Sequence, residues 1–266
     1  MLLVSTSHTP MPATVEASMR MAQEMGWRWV PRAGMSIRKL ARTYGASELM
    51  LQADDELKLY TNLDGDPSEP APNPMFFHPS MSFVRVKRLL QEEGDTMVEV
   101  SGVSEGDVVL DCTAGLASDS IVFSFVAGPK GRVIAVESAP ALYMLVRVGL
   151  SRYETHLEPF NEAMRRIELQ CDNHERVLER MPDRSVDIVY FDPMFRHPIE
   201  ESSGIQPLRQ LANHEPLSES AVRQAMRVAR KRVVLKEHRD GDEFKRLGFE
   251  RQFRPGTKIA YGVIML

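Results

Sequence analysis

The chain has only two cysteines, Cys112 and Cys171, in 266 residues. They offer neither the spacing of a metal site nor a disulfide framework, so a zinc-built or disulfide-stapled fold is not expected, and no metal is. Long apolar runs are missing as well. None reaches the ~20 residues that cross a bilayer, and residues 1–11 lack the basic start and apolar stretch of an export signal. A cytoplasmic protein without a membrane partner is expected. No internal repeat and no low-complexity tract occurs. The three-glycine turn G-x-G-x-x-G, with which dinucleotide folds approach a pyrophosphate, is also absent. That argues against a nicotinamide-dependent dehydrogenase.

With 43% apolar residues the chain is long enough for one large domain and a small one, each with its own core. Prolines 67, 70, 72 and 74 around residues 63–75 predict a stiff extended linker. It separates a small α/β domain, residues 1–62, from a large domain, residues 76–266. In the first domain the pattern predicts a strand at 2–6, a helix at 12–25 ended by Gly26, and a helix at 36–44 stopped by Gly45. A hairpin is predicted around Asp54-Asp55. Trp27 and Trp29 alternate with Arg28, which suits either a small core in need of large apolar groups or a surface for stacking on bases.

The large domain opens its informative part with Asp107-Val108-Val109-Leu110-Asp111-Cys112-Thr113-Ala114-Gly115. Residues 108–110 read as a buried strand, 113–115 as a tight turn into a helix at about 118–126, and Gly115 as the place where the backbone can approach a ligand. Cys112 inside this turn reads as a small buried thiol. A second strand, residues 131–137, ends in Glu137 about 20 residues after Gly115, where an acid can accept both ribose hydroxyls of an adenosine cofactor. A turn with one glycine has no pyrophosphate to cradle, which points to S-adenosylmethionine. A third strand at about 167–169 ends in polar residues placed to bond the adenine amine, with Asp172 the usual chemistry for that.

Further on, Val186-Asp187-Ile188-Val189-Tyr190-Phe191 is an apolar run of strand length, ended by Asp192-Pro193-Met194-Phe195. Ligands of open α/β sheets bind at the carboxyl ends of the strands. An acid and a carbonyl there can hold the protons of an amine while a ring stacks on the attached base. The alternative reading makes Asp192 a turn former and Phe195 a core residue.

Asp111-Cys112-Thr113-Ala114-Gly115-Leu116-Ala117-Ser118-Asp119 is similar to the D-A-T-A-G-L-G-R-D turn of class I methyltransferases related to RsmJ. Tyr190-Phe191-Asp192-Pro193-Met194-Phe195 resembles that family's Y-L-D-P-M-F, and Arg232-Val233-Val234-Leu235-Lys236 its R-V-V-V-K. The likeness spans about residues 76–240. It departs from the pattern at Ala117-Ser118, at Glu137-Ser138, and at Arg196-His197-Pro198 after the D-P-M-F. The resemblance implies an α/β, Rossmann-like, seven-stranded sheet completed by a terminal hairpin around Pro255-Gly256. It implies an S-adenosylmethionine-dependent enzyme that methylates guanine N2 in small-subunit ribosomal RNA. It carries cofactor binding onto Asp111, Thr113, Ala114, Gly115, Ser118, Asp119, Glu137, Ser138, Asp172, Asn173, His174 and Asp192. Catalysis falls on Asp192, Pro193 and Phe195, and substrate contact on His78, Arg85, Lys87, Arg88, Arg196, His197 and Lys236. For His78 a purely structural role is the competing reading. Two other activities remain compatible, methylation of a protein or small-molecule amine or amide and a catalytically silent RNA-binding relative.

Net charge is −4, yet none of the 37 acids falls within residues 26–47, 76–90 or 223–236, which hold Arg28, Arg32, Arg38, Lys39, Arg42, Arg85, Lys87, Arg88, Arg223, Arg227, Arg230, Lys231, Arg232 and Lys236. Either these segments converge into a rim that binds RNA phosphates, or they are ordinary solvated faces of three helices. The residues between Met194 and Pro216 read as a long irregular loop suited to a lid or substrate clamp.

Overall fold

The computed structural model describes residues 1–66, 70–193, 215–252 and 257–266. They fall into two compact units, the first ending along the chain at His78 and the second beginning at Pro79.

In the first unit, β1 (Leu2–Thr6) is buried along its whole length because it lies inside a sheet of order β2-β1-β3-β4-β5. β2 (Arg28–Trp29) and β3 (Glu48–Gln52) flank it in parallel, and β4 (Leu57–Tyr60) turns back from β3 as the predicted hairpin. Helix α1 (Pro12–Met25) starts with proline and ends at Gly26 in the left-handed region, where glycine carries no Cβ penalty. Helix α2 (Ile37–Tyr44) is capped by the Ser36 side chain, which accepts from the Lys39 N–H. The indole N–H of Trp29 donates to Ser18 Oγ at 2.8 Å, so that ring serves packing against α1.

The stretch 63–75 departs from the expected linker. Leu63 is fully buried with Leu3, Leu40 and Leu49, and β5 (Met75–Phe76) pairs antiparallel with β4. Proline content at 70–74 stiffens the chain, but the residues on either side still pair and pack. The first unit therefore runs to His78 rather than ending at residue 62.

The second unit holds a seven-stranded sheet of order β11-β12-β10-β9-β6-β7-β8. Its strands are β6 (Val108–Asp111), β7 (Arg132–Glu137), β8 (Ile167–Cys171), β9 (Val186–Phe191), β10 (Ala229–His238), β11 (Glu250–Gln252) and β12 (Ile259–Met265). From β10 to β8 all pairs are parallel, and β12 runs antiparallel to β10. Every residue of β9 is buried, as expected of a strand covered on both faces. The terminal hairpin takes its predicted place, although its tip at 253–256 lies outside the described residues.

Ten described helices accompany these sheets. In the second unit they are α3 (Met81–Leu90), α4 (Thr96–Ser101), α5 (Ser118–Ala127), α6 (Pro140–Arg152), α7 (Glu158–Arg165), α8 (His174–Arg180), α9 (Glu219–Val228) and α10 (Glu243–Leu247). The chain runs outward from β6 through β7 to β8 and then returns to the other side of β6 as β9. Strand order thus reverses between β6 and β9, and the crevice outside their carboxyl ends is where such sheets bind ligands. No described helix is long and apolar enough to cross a membrane.

Candidate active site

The turn after β6 is pinned from both neighbouring strands. Cys112 N–H donates to the Tyr190 carbonyl on β9 and Ala114 N–H to the Val136 carbonyl on β7. Asp111 is buried; its Oδ1 accepts from Thr113 N–H at 3.1 Å and its Oδ2 from Ser120 Oγ at 2.5 Å. Burial pushes its carboxyl up to about 7 against those two donors. Gly115 has φ +53°, and a Cβ there would meet nothing within 4 Å, so the backbone is open to a ligand at that point. Glu137, at the end of β7, reaches back to this turn. Its Oε2 accepts from Gly115 N–H at 3.1 Å and its Oε1 from Ala139 N–H at 2.8 Å. Burial still raises its carboxyl above the ordinary range, despite these bonds and the Ser138 N–H.

Beyond β8, the Asn173 side chain caps α8 by accepting from Glu175 N–H. His174 stands edge-on to Phe191 with ring centroids 5.8 Å apart, and burial lowers its pKa. Asp172 is ion-paired with Arg180.

At the end of β9 a buried set of charges surrounds Asp192. The register places Leu235 opposite Phe191, so the next residues, Lys236 and Asp192, are neighbours. Lys236 Nζ donates to Asp192 Oδ2 at 2.7 Å and to Asp119 Oδ2 at 2.9 Å. Asp119, in the first turn of α5, also accepts from Arg85 Nη1 at 2.5 Å and from the Tyr190 hydroxyl at 2.6 Å. Arg85 in turn grips Asp95 with two bonds, at 2.7 and 2.9 Å. Asp192 N–H donates to Thr113 Oγ1 at 2.6 Å, which ties this strand end to the turn after β6. Burial raises the Asp192 carboxyl to about 6, with Lys236 opposing and Asp119 adding to the rise. For Asp119 the balance is reversed: burial pushes up, but Lys236 and Arg85 outweigh it and hold the carboxyl well below the usual range.

A family model described as "Putative SAM-dependent methyltransferase" matches residues 40–248. The chain belongs to that family. S-adenosylmethionine is its cofactor, and methyl transfer its chemistry. The protein YpiP of Bacillus subtilis is 37% identical over 98% of both chains. Ribosomal RNA small subunit methyltransferase J of Buchnera aphidicola (subspecies Schizaphis graminum) is 36% identical over 48% of this chain and 51% of its own length. The same enzyme of Alteromonas mediterranea is 29% identical over 52% and 53%. The chain thus spans about half the length of the methyltransferases J that it matches. A solved S-adenosylmethionine-dependent methyltransferase from Neisseria gonorrhoeae, 19% identical, has the same fold, with a TM-score of 0.63 over 99% of this chain and 95% of that one.

The residues of this methyltransferase suit the cofactor's adenosine. Glu137 is a desolvated carboxylate whose oxygens each keep lone pairs for a hydroxyl donor, and it lies beside the open Gly115 turn. Two ribose hydroxyls would satisfy it, whereas a phosphate there would meet like charge. Among the predicted cofactor residues, Asp111, Thr113, Ala114, Gly115, Glu137 and Ser138 gather around this turn. Ser118 Oγ donates to the Pro79 carbonyl at 3.3 Å. Two others sit differently than expected. Asp119 faces away into the charge network with both oxygens occupied, and Asp172 is engaged by Arg180.

Among the described residues of the second unit, the predicted substrate residues do not assemble as a rim. Arg85 and Lys236 are largely buried among acids, because an isolated buried charge must find partners. Lys87 lies 5.9 Å from the Phe83 ring and Arg88 pairs with exposed Glu93. Residues 223–236 fail to converge because β10 is ten residues long, so Arg230 and Lys231 lie at its amino end and Lys236 near its carboxyl end. His78 is the last residue of the first unit. Met194, Phe195, Arg196 and His197 lie outside the described residues, as does most of the anticipated lid. Three members of the network escaped the sequence reading: Tyr190, Asp95, and Tyr261 of β12, which pairs with Lys236 across the sheet. Asp95 carried a signal, as the N-cap of α4 accepting from Met97 and Val98 N–H; the two tyrosines looked like ordinary strand residues.

Proposed function

We propose that this methyltransferase acts on an exocyclic base nitrogen of RNA, guanine N2 in small-subunit ribosomal RNA, in the cytoplasm. The observation that carries the reading is Asp192 at the carboxyl end of β9, its backbone fixed by Thr113 of the cofactor turn and followed by Pro193. The partial matches to methyltransferases J support the choice of small-subunit ribosomal RNA, and the base is carried over from the resemblance of the strand-end motif to the RsmJ family.

The cofactor supplies a methyl group on a sulfonium centre, open to attack by a nucleophile. The nitrogen of guanine N2 is a poor nucleophile because its lone pair is delocalised into the ring. Asp192 and the Pro193 carbonyl accept its two protons, which favours a pyramidal nitrogen with an available lone pair. The new carbon–nitrogen bond would form as the sulfur–methyl bond breaks, its electron pair staying on sulfur as a neutral thioether. The nitrogen must then lose one proton, and the Asp192 carboxylate is the group placed to hold it. Position rather than acid–base strength dominates, and well-oriented reactants recover on the order of 7–11 kcal/mol of barrier. Phe195 is assigned to stacking on the base, worth about 1–3 kcal/mol. A paired base must first be flipped out at a cost of a few kcal/mol.

The test is transfer of labelled methyl from S-adenosylmethionine into total RNA from cells lacking the protein, followed by digestion and nucleoside chromatography. Labelled N2-methylguanosine is the expected product. Label on protein or small amines, with RNA unlabelled, would move the substrate to those amines.

A further inference from the structure

We propose that Lys236 is a positioning residue for methyl transfer, an anchored ammonium that fixes one oxygen of Asp192 and so presents the other to the substrate amine. The inference rests on the reading of Asp192 as the acceptor of the amine's protons.

Lysine at this place is set by backbone register. In β10 it follows Leu235, which pairs with Phe191, and on its other side it pairs with Tyr261 of β12. Its Nζ takes Asp192 Oδ2 at 2.7 Å, which leaves Oδ1 as the oxygen that the ammonium does not hold. The ammonium cannot follow a turning carboxylate, because Asp119 holds it at 2.9 Å and Asp119 is itself clamped by Arg85 and Tyr190. Thr113 Oγ1 fixes the same residue through its N–H. Asp192 is therefore held at both backbone and side chain, as a reactive group needs for alignment.

Charge balance gives Lys236 a second consequence. The groups facing Asp192 are Lys236 on β10, Asp119 on α5, Asp111 on β6, Tyr190 on β9 and Tyr261 on β12, with Arg85 of α3 acting through Asp119. Asp119 is buried and Asp192 half-buried beside it, and each carboxylate disfavours the other's ionisation unless a cation offsets the repulsion. Without Lys236, a proton bound to Asp192 would block the lone pairs that the amine needs.

The test compares wild type with Lys236→Arg, Lys236→Gln and Lys236→Met in chains carrying 13C-carboxyl aspartate, with Asp192→Asn used to assign the Asp192 signal. Carbon NMR follows its titration, and single-turnover transfer into RNA from cells lacking the protein follows the chemistry. For Lys236→Gln and Lys236→Met the Asp192 ionisation constant is expected to fall at least tenfold and transfer to slow at least 100-fold. Cofactor affinity by calorimetry should stay within threefold, and Lys236→Arg should restore the titration. If Lys236→Met does not fold, the Arg and Gln variants carry the comparison, since both keep a hydrogen-bond donor and differ in charge. An unmoved Asp192 titration in Lys236→Gln, or transfer within threefold of wild type, overturns the proposal. Should wild type leave RNA unlabelled, the RNA reading falls and the titration alone decides the role of Lys236.

Discussion

At the amino ends of β6, β9 and β10, Lys231 meets Asp107 at 2.5 Å and Arg230 meets Asp187 at 2.7 Å. At the carboxyl ends of the same strands, Lys236 meets Asp192 at 2.7 Å and Asp119 at 2.9 Å. Residue types and distances are nearly the same. The lysines differ in exposure, 46% for the Lys231 side chain and 17% for Lys236, while the acids differ the other way, 12% for Asp187 and 27% for Asp192. The aspartates respond in opposite directions. Burial pushes Asp187 up, yet Arg230 and the Val108 N–H outweigh it and its carboxyl is lowered. At Asp192 burial prevails and the carboxyl rises to about 6 even with a lysine in contact. A cation in contact with an acid therefore does not reveal the acid's role. The other charges in reach do: Asp187 has Arg230, Lys231 and the Val108 N–H in its favour, whereas Asp192 shares one lysine with a second carboxylate, Asp119.

Removing one acid from each end should separate these roles most widely. Asp192→Ala is expected to cut methyl transfer by about 10²–10⁴-fold, the range for loss of a positioned proton acceptor, while calorimetry shows cofactor affinity within threefold of wild type. Asp187→Ala at the other end should leave the transfer rate unchanged. A smaller effect follows from pH. Asp192 accepts the amine's protons only when ionised, so as pH falls through about 6 the carboxylate takes up a proton and the rate should drop tenfold per further unit. A transfer rate flat from pH 5 to 8 would remove Asp192 from the chemistry. Asp187→Asn should leave that profile in place.

Much of this contrast was legible in the sequence at the level of strands and turns. β6, β7 and β9 are short apolar runs bounded by glycine, proline or acid, and each end carries a residue whose type announces a use: Gly115, Glu137, Asp192. The pairing of Lys236 was not legible, because it depends on the registers of β10 with β9 and of β10 with β12, and neither is written in the residues of one strand. The acid-free stretch 223–236 looked like a single basic face. In the fold it is the end of α9 followed by the long strand β10, which separates its cations to opposite ends of the sheet. The segment 63–75 misled for another reason. Its prolines describe local stiffness, whereas the burial of Leu63 and the pairing of Met75–Phe76 with β4 come from distant partners.

Along β7 the same comparison gives a binding experiment. Its amino end carries Arg132, paired with exposed Glu168, and its carboxyl end carries buried Glu137. Glu137→Gln puts an amide N–H2 where two backbone N–H groups and the ribose hydroxyls all need an acceptor. Cofactor affinity is expected to fall about tenfold, roughly 1.4 kcal/mol, by calorimetry; Glu168→Gln should leave it unchanged. Backbone strain follows the same division. Gly106, before β6, takes φ +88° without a Cβ, whereas Ala117, after it, holds φ +60° with one. The left-handed region costs a non-glycine residue roughly 1–2 kcal/mol, partly offset because glycine loses more entropy on folding, about 0.4–1 kcal/mol. Ala117 is also fully buried, and losing its methyl costs about 0.8 kcal/mol, so Ala117→Gly should leave the urea midpoint within the equivalent of about 1 kcal/mol of wild type.

The smallest effect belongs to the exposed lysine. Lys231→Ala removes a contact to Asp107 at 2.5 Å and a longer one to Asp187 at 3.7 Å. Asp107 does not become an orphan, since it still accepts from Ser104 N–H and Oγ. Asp187 keeps Arg230 and the Val108 N–H. With water at the lysine and the acids otherwise satisfied, the loss should stay within about 0.2–1 kcal/mol, the range of exposed ion pairs. It should shrink further in high salt, and methyl transfer should be unchanged. A loss of several kcal/mol in urea unfolding would mean that the amino end is as tightly bound to its lysine as the carboxyl end is, and that exposure does not separate the two.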